Sequence, residues 1–276
     1  MLRNLEDSVN TRSSSLPPCP ICSGERQEIF QALLLKKYEV RYFFCGSCGL
    51  LQTEEPYWLD EAYGSAIADA DTGLVWRNLD IARKLAGLIY FCLDPGASYL
   101  EFAGGYGLLT RLMRDKGFDF RWHDPYCQNL FARGFEWDRL EKSTSAKAVT
   151  AFEVIEHVPN PIDFMRAALT QAKASTIIFT TLLYSGEPPP PDKWWYYSLE
   201  SGQHVSFFCQ KTLVLLAQRL GLRLFSNGWF HVLTDENIHD TAFRICTGRL
   251  ALVLDAYVKR RMNSKTFDDH RQIISR

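Results

Sequence analysis

The sequence predicts an α/β protein: a doubly wound, mostly parallel sheet with a small N-terminal cysteine module. Three observations carry this prediction. From about Tyr99 onward, short apolar runs alternate with segments of helical periodicity. A glycine-rich turn, Ala103-Gly104-Gly105-Tyr106-Gly107, joins one apolar run to an amphipathic one. Four of the eight cysteines stand in two C-x-x-C pairs ahead of all this.

Taken in order, residues 1–16 are polar, end in three serines and are predicted to be mobile. Residues 17–56 hold Cys19-x-x-Cys22 and Cys45-x-x-Cys48, separated by β-rich stretches that predict a hairpin. Each pair ends in a tight turn that lets two thiolates face one centre. Two such turns supply the four sulfurs of a closed, structural zinc ribbon. The other cysteines, Cys92, Cys127, Cys209 and Cys246, sit among apolar residues and read as small core side chains.

Residues 57–248 form the main domain. Its lead-in is helical, with Leu74, Leu79, Ile81, Ala82, Leu85 and Leu88 at helical spacing. The stretch Asp69–Asn78 is placed either over a cofactor pocket or flat against the sheet. Strands are expected at Tyr99–Phe102, Phe118–Asp124, Lys147–Phe152, Thr176–Thr181, Leu222–Phe230 and Ala242–Cys246. Helices are expected after Gly107, from Ile162, and over Lys211–Leu220. The loop Gly186–Tyr197, with four prolines and Trp194, Trp195, Tyr196 and Tyr197, reads as an aromatic platform for a substrate. Residues 249–276 read as one C-terminal helix with Lys259–Arg261 on its wet side.

Composition narrows the function classes. Nearly half the 276 residues are hydrophobic, and the net charge is −1. Residues 1–60 hold more Asp and Glu than Lys and Arg. A nucleic-acid partner held through its phosphates is therefore disfavoured. No apolar run reaches the ~18 residues of a membrane-spanning helix, and the first residues lack the pattern of a signal peptide. A cytoplasmic protein is expected, its oligomeric state unread.

Glu101 at the end of an apolar strand, the Ala103–Gly107 turn, Asp124 closing the next strand, and Phe152-Glu153-Val-Ile-Glu156-His157-Val-Pro159 together resemble class I S-adenosylmethionine-dependent methyltransferases, a Rossmann-like family. The resemblance implies S-adenosylmethionine as cofactor. It places Glu101, Ala103, Gly104, Gly105 and Gly107 beside the methionine part. Asp124 would take both ribose hydroxyls, and Phe152 and Glu153 would lie near the sulfonium. Ala103 stands where the family usually has its first glycine. Its methyl group is tolerated with a negative φ but narrows the approach. A NAD-dependent enzyme would use the same kind of turn but would leave Phe152–Pro159 unexplained.

Ahead of such a domain, a cysteine ribbon resembles sugar methyltransferases and ribosomal-RNA methyltransferases. The expected reaction is methyl transfer to a small hydroxylated acceptor, a sugar or nucleotide sugar, with oxygen as the target. The alternatives are rRNA methylation and a cofactor-binding scaffold without turnover. Glu153, Glu156, His157 and His204 are the candidate catalytic groups, with His204 as general base. Their pattern also resembles the ligand set of metal-dependent 2′-O-methyltransferases, which would add a second divalent metal.

Overall fold

The computed structural model describes residues 17–64 and 71–275. The expected mobile segment 1–16 lies outside the described residues, as do Asp69 and Ala70. Two sheets organise the chain.

The larger sheet has six strands: β4 (Ser98–Phe102), β5 (Asp119–His123), β6 (Ala148–Ala151), β7 (Thr176–Thr180), β10 (Arg223–Ser226) and β11 (Phe230–Thr234). Their order is β10-β11-β7-β6-β4-β5. β5, β4, β6 and β7 run parallel, and β11 is antiparallel to both β7 and β10. Successive residues point to opposite faces of a strand, and here both faces are apolar. Tyr99, Ala148, Ile178 and Val232 enter one cluster with α2 (Leu74–Cys92), α3 (Leu108–Asp115), α6 (Asp240–Thr247) and α7 (Ala251–Arg261). Leu100, Val149, Ile177 and Leu233 enter the other with α4 (Pro161–Ala172) and α5 (Gln210–Leu220). This is the doubly wound α/β sheet that the strand–helix alternation predicts.

The smaller sheet joins β1 (Gln27–Leu34), β2 (Tyr38–Phe44) and β3 (Leu51–Thr53), all from the cysteine module, to β9 (Ser206–Cys209) and β8 (Leu183–Tyr184). β3 pairs antiparallel with β9, Leu51 opposite Phe207 and Gln52 opposite Ser206. Cysteine module and main domain thus share one sheet. The short helix α1 (Leu59–Ala62) leads from it, and Trp58 donates its indole N–H to the Gly202 carbonyl at 2.7 Å.

Three expectations are corrected. Leu222–Phe230 is two strands, because Asn227 accepts from the N–H groups of Trp229 and Phe230, and Gly228 sits at φ +95°. Ala242–Cys246 belongs to helix α6: Phe243, Cys246 and Thr247 are buried at helical spacing, and Asp240 pairs with Arg244 one turn on. The tail is two helices, α7 and α8 (Thr266–Ile274). Its break lets Asp269 reach the guanidinium of Arg114, 2.7 Å away and nearly buried. Among the described residues no helix is long and apolar enough to cross a membrane.

Candidate functional site

The site lies at the carboxyl ends of β4, β5 and β6, the edge where open α/β sheets receive ligands. β4 ends in Glu101 and Phe102, and the chain turns sharply through Ala103–Gly107 into α3. Ala103, Gly105 and Gly107 all adopt positive φ, at +55°, +53° and +83°. The condition under which the Ala103 methyl group is tolerated, a negative φ, is not met: an alanine holds a left-handed position that glycine occupies without strain. Gly104 is glycine for space, since a Cβ there would lie 2.8 Å from Trp122 Cδ1 and 2.9 Å from Glu101 Cδ. At Gly105 a Cβ would meet nothing within 4 Å, so backbone faces open space there.

Side chains brace this turn from both sides. Glu101 accepts from the Thr110 amide at 2.8 Å and from its hydroxyl, tying β4 to the start of α3. Burial raises the Glu101 carboxyl to about 7. Trp122 donates its indole N–H to the Gly105 carbonyl at 2.9 Å. Asp124, just past β5, accepts from the Gly105 amide through Oδ2 and from the Tyr126 and Cys127 amides through Oδ1. A carboxylate offers about four acceptor positions. Three are taken, which leaves room for one further donor where the sequence suggested two ribose hydroxyls.

Past β6, Phe152 packs against Phe230, and Glu153 takes φ +55°. Glu153 accepts from the Thr180 hydroxyl at 2.6 Å and faces Arg77 Nε at 3.2 Å. Arg77 forks onto both oxygens of Asp71, each 2.8 Å away. The start of α2 therefore does reach over the strand ends, and Glu153 is held in an ion pair, apart from the histidines.

Glu156, His157 and His204 do come together: one ligand atom from each lies within 4.8 Å of the others. Glu156 is fully buried, and Tyr196 donates to its Oε1 at 2.8 Å while Oε2 has no partner among the described residues. Burial, with Glu153 nearby, pushes this carboxyl up to about 8. The two imidazole rings stand perpendicular, centroids 4.7 Å apart. His204 Nδ1 lies 2.7 Å from the Tyr196 carbonyl, which can only accept, so Nδ1 carries the hydrogen and Nε2 the lone pair. His157 Nδ1 faces the Gln203 carbonyl at 3.1 Å and the Tyr63 hydroxyl at 2.9 Å. Burial holds His157 down to about 3 and His204 down to about 4. Burial thus favours the uncharged form of all three groups.

The four expected metal-ligating cysteines also converge. Cys19 and Cys48 sulfurs are 3.5 Å apart, and Cys22 and Cys45 sulfurs 3.4 Å. Zinc–thiolate bonds of about 2.3 Å in a tetrahedron put sulfurs roughly 3.7 Å apart, so the set fits that ion and leaves no open position. Of the aromatic loop, Tyr196 and Tyr197 are buried against the smaller sheet and Trp194 packs on Tyr184 and Phe207. The expected platform shrinks to Trp195, 77% exposed.

A family profile described as a methyltransferase domain matches residues 75–227, more than half the chain. The chain belongs to this family. The chain is also similar to several solved structures. TnmH is 18% identical with a TM-score of 0.45, the match covering 66% of this chain and 62% of that one. An O-methyltransferase family 2 protein from Planctomyces limnophilus, in complex with apigenin, is 14% identical with a TM-score of 0.44, covering 67% and 63%. An O-methyltransferase family protein from Burkholderia thailandensis is 12% identical with a TM-score of 0.43, covering 65% and 67%. The chain spans about three-fifths of the length of the first two. No curated protein sequence matches it.

Several residues of this methyltransferase-domain site escape a reading of the sequence. Arg77 carries no signal of its role, since its partner Glu153 is 76 positions further on, and Asp71 enters only as the residue that holds Arg77. Tyr63 meets His157 across 94 residues and Tyr196 meets Glu156 across 40. Trp122 was legible only as one member of a strand.

Proposed function

We propose that the protein transfers a methyl group from S-adenosylmethionine to a hydroxyl of a small acceptor, a sugar or nucleotide sugar, with His204 as the proton acceptor. The observation that supports this most is the fixed tautomer of His204. Its Nδ1–H is engaged by the Tyr196 carbonyl, so Nε2 holds a lone pair beside His157 at the end of the sheet.

The residues present fit the cofactor. The open backbone at Gly105, the carboxylate of Glu101 and the remaining acceptor position on Asp124 would hold it, with Ala103, Gly104 and Gly107 shaping the turn and Phe152 and Glu153 beside the sulfur. When bound, S-adenosylmethionine supplies an electrophilic methyl on a sulfonium. His204 Nε2 accepts the hydrogen of the acceptor hydroxyl, and the proton leaves to solvent. Because burial makes His204 a weak base, most of its effect is alignment of that hydroxyl. His157 orients the same oxygen from the side. The Cys19, Cys22, Cys45 and Cys48 thiolates hold a structural zinc.

A second reading is favoured by Oε2 of Glu156, which has no partner among the described residues. Glu156, His157 and His204 would then hold a divalent cation that fixes two neighbouring acceptor oxygens. Turnover that survives chelation with the ribbon still metal-loaded removes this reading.

The test is tritiated-methyl transfer from S-adenosylmethionine into a nucleotide-sugar extract. The native chain labels an O-methylated product, and His204→Ala lowers kcat about a hundredfold with cofactor affinity unchanged. Full turnover by His204→Ala rules out its role as base.

A further inference from the structure

The stretch after β6 carrying Glu156 and His157 is a single 3₁₀ turn, Ile155–His157, with little structure of its own. Its internal bonds are His157 N–H to the Val154 carbonyl at 2.9 Å and Val158 N–H to the Ile155 carbonyl at 3.4 Å. Its carbonyls are held from outside. Glu156 O accepts from the Val205 amide at 2.8 Å, Val158 O from the Ser206 hydroxyl at 2.7 Å, and Pro159 O from Gln52 Nε2 at 2.8 Å. Two of these donors lie in the segment just after His204. The third comes from the cysteine ribbon.

Gln52 is an unusual residue for its place. It sits in β3 and is 4% exposed. A buried carboxamide is costly unless its donors and acceptor are engaged. Its Nε2 donates to both Pro159 O and Ser206 Oγ, each at 2.8 Å, and its Oε1 accepts from Arg26 at 3.2 Å. Two fixed carbonyl acceptors, Pro159 O and Val158 O, set the direction of the whole chain of bonds. Ser206 therefore receives from Gln52 and gives to Val158. One side chain thus fastens the His157 turn and the His204 arm to the same ribbon strand. A backbone bond from Thr53 N–H to Val205 O at 3.0 Å runs alongside it.

The ribbon strand is itself anchored at the second cysteine turn. β3 begins three residues after Cys48. The Cys48 carbonyl accepts from the Thr212 hydroxyl at 2.9 Å, and the Gly49 carbonyl accepts from the Tyr184 hydroxyl. The cysteine turn runs along the chain into β3, and Gln52 and Ser206 hold the backbone segments on which the two histidines sit.

We infer that Gln52 is a positioning residue that sets the separation and orientation of His157 and His204, which makes the cysteine ribbon a working part of the active centre. The inference rests on the reading of His204 as proton acceptor. Its test uses the full chain labelled with ¹⁵N-histidine. Gln52→Met keeps the length of the side chain and removes its hydrogen bonds. Ser206→Ala, which breaks the next bond of the same chain, serves as an independent second variant.

The native protein shows protected Nδ1–H signals for His157 and His204. It also shows a signal from His231, whose ring bonds to Ser226 and Thr181 on the other sheet and serves as internal control. In both variants the His157 and His204 signals broaden or vanish, the His231 signal stays, and the zinc content and S-adenosylhomocysteine affinity stay at native values. The labelled-methyl assay then shows kcat reduced about tenfold or more. Unchanged His157 and His204 signals overturn the inference. So does loss of the His231 signal or of zinc along with them, which marks Gln52 as merely structural. Failure of the catalytic reading looks different: His204→Ala retains full turnover while the spectra of the Gln52 variant still change.

Discussion

Among the described residues Glu156 is the least comfortable, fully buried, with one oxygen bonded to Tyr196 and the other without a partner there. Its carboxyl rises from about 4.5 to about 8, first through burial and then through the nearby Glu153. The folded chain therefore binds this proton more tightly than the unfolded chain. The associated stability is fully present below about pH 4.5 and is lost as pH rises through about 8. Three histidines act the other way. His157, His204 and His231 fall from 6.5 to about 3, 4 and 4, so their contribution is present above pH 6.5 and lost as pH falls through about 4. Glu156→Gln removes only the first effect. We predict that the variant gains stability relative to native as pH rises from 5 to 8, by on the order of a few kcal/mol. Urea unfolding at several pH values measures this, and parallel curves would contradict it.

At the scale of elements, the cofactor turn shows what a sequence does and does not carry. Glu101 was legible from its place at the end of an apolar strand, and Gly104, Gly105 and Gly107 because glycine is the residue that left-handed backbone and close contacts require. Ala103 was legible as a departure but not as a left-handed one, because φ is a property of the folded turn. Its conformation costs about 1 kcal/mol relative to glycine. Ala103→Gly is therefore expected to raise stability by about 0.5–1 kcal/mol and to leave cofactor affinity equal or tighter. Denaturant midpoints and calorimetry read the two effects separately. A destabilised variant would show that the methyl group packs usefully despite its backbone. Elsewhere, Asn227-Gly228 carried an audible hairpin signal inside the expected strand Leu222–Phe230. The segment Ala242–Cys246 alternated like a strand, yet the Asp240–Arg244 pair and the burial of Phe243 and Cys246 make it a helix.

For the whole molecule, the parallel sheet was readable from its strand–helix alternation, and the convergence of the four cysteines from their spacing. The joining of the two parts was not. β3 meets β9 across more than 150 residues of chain, and the bond from Gln52 to Ser206 spans 154 positions. Local pattern holds no record of such a pairing. The aromatic loop was misread for the same reason: Tyr197 packs edge-on to Tyr42 and Phe207, so what resembled a substrate face is packed onto the smaller sheet. The resulting architecture delivers Glu101, Asp124 and the histidine pair to one edge of the larger sheet, with the ribbon bracing the histidines from behind.

The central claim is that this edge binds S-adenosylmethionine through the Glu101–Gly107 turn and Asp124. Titration calorimetry with S-adenosylhomocysteine tests it most directly, on the native chain and on Asp124→Asn. The account predicts one molecule bound per chain, with affinity about tenfold to a hundredfold weaker in the variant, as expected for loss of a charge-assisted hydrogen bond. No binding heat from the native chain, or equal affinity in both proteins, would contradict it.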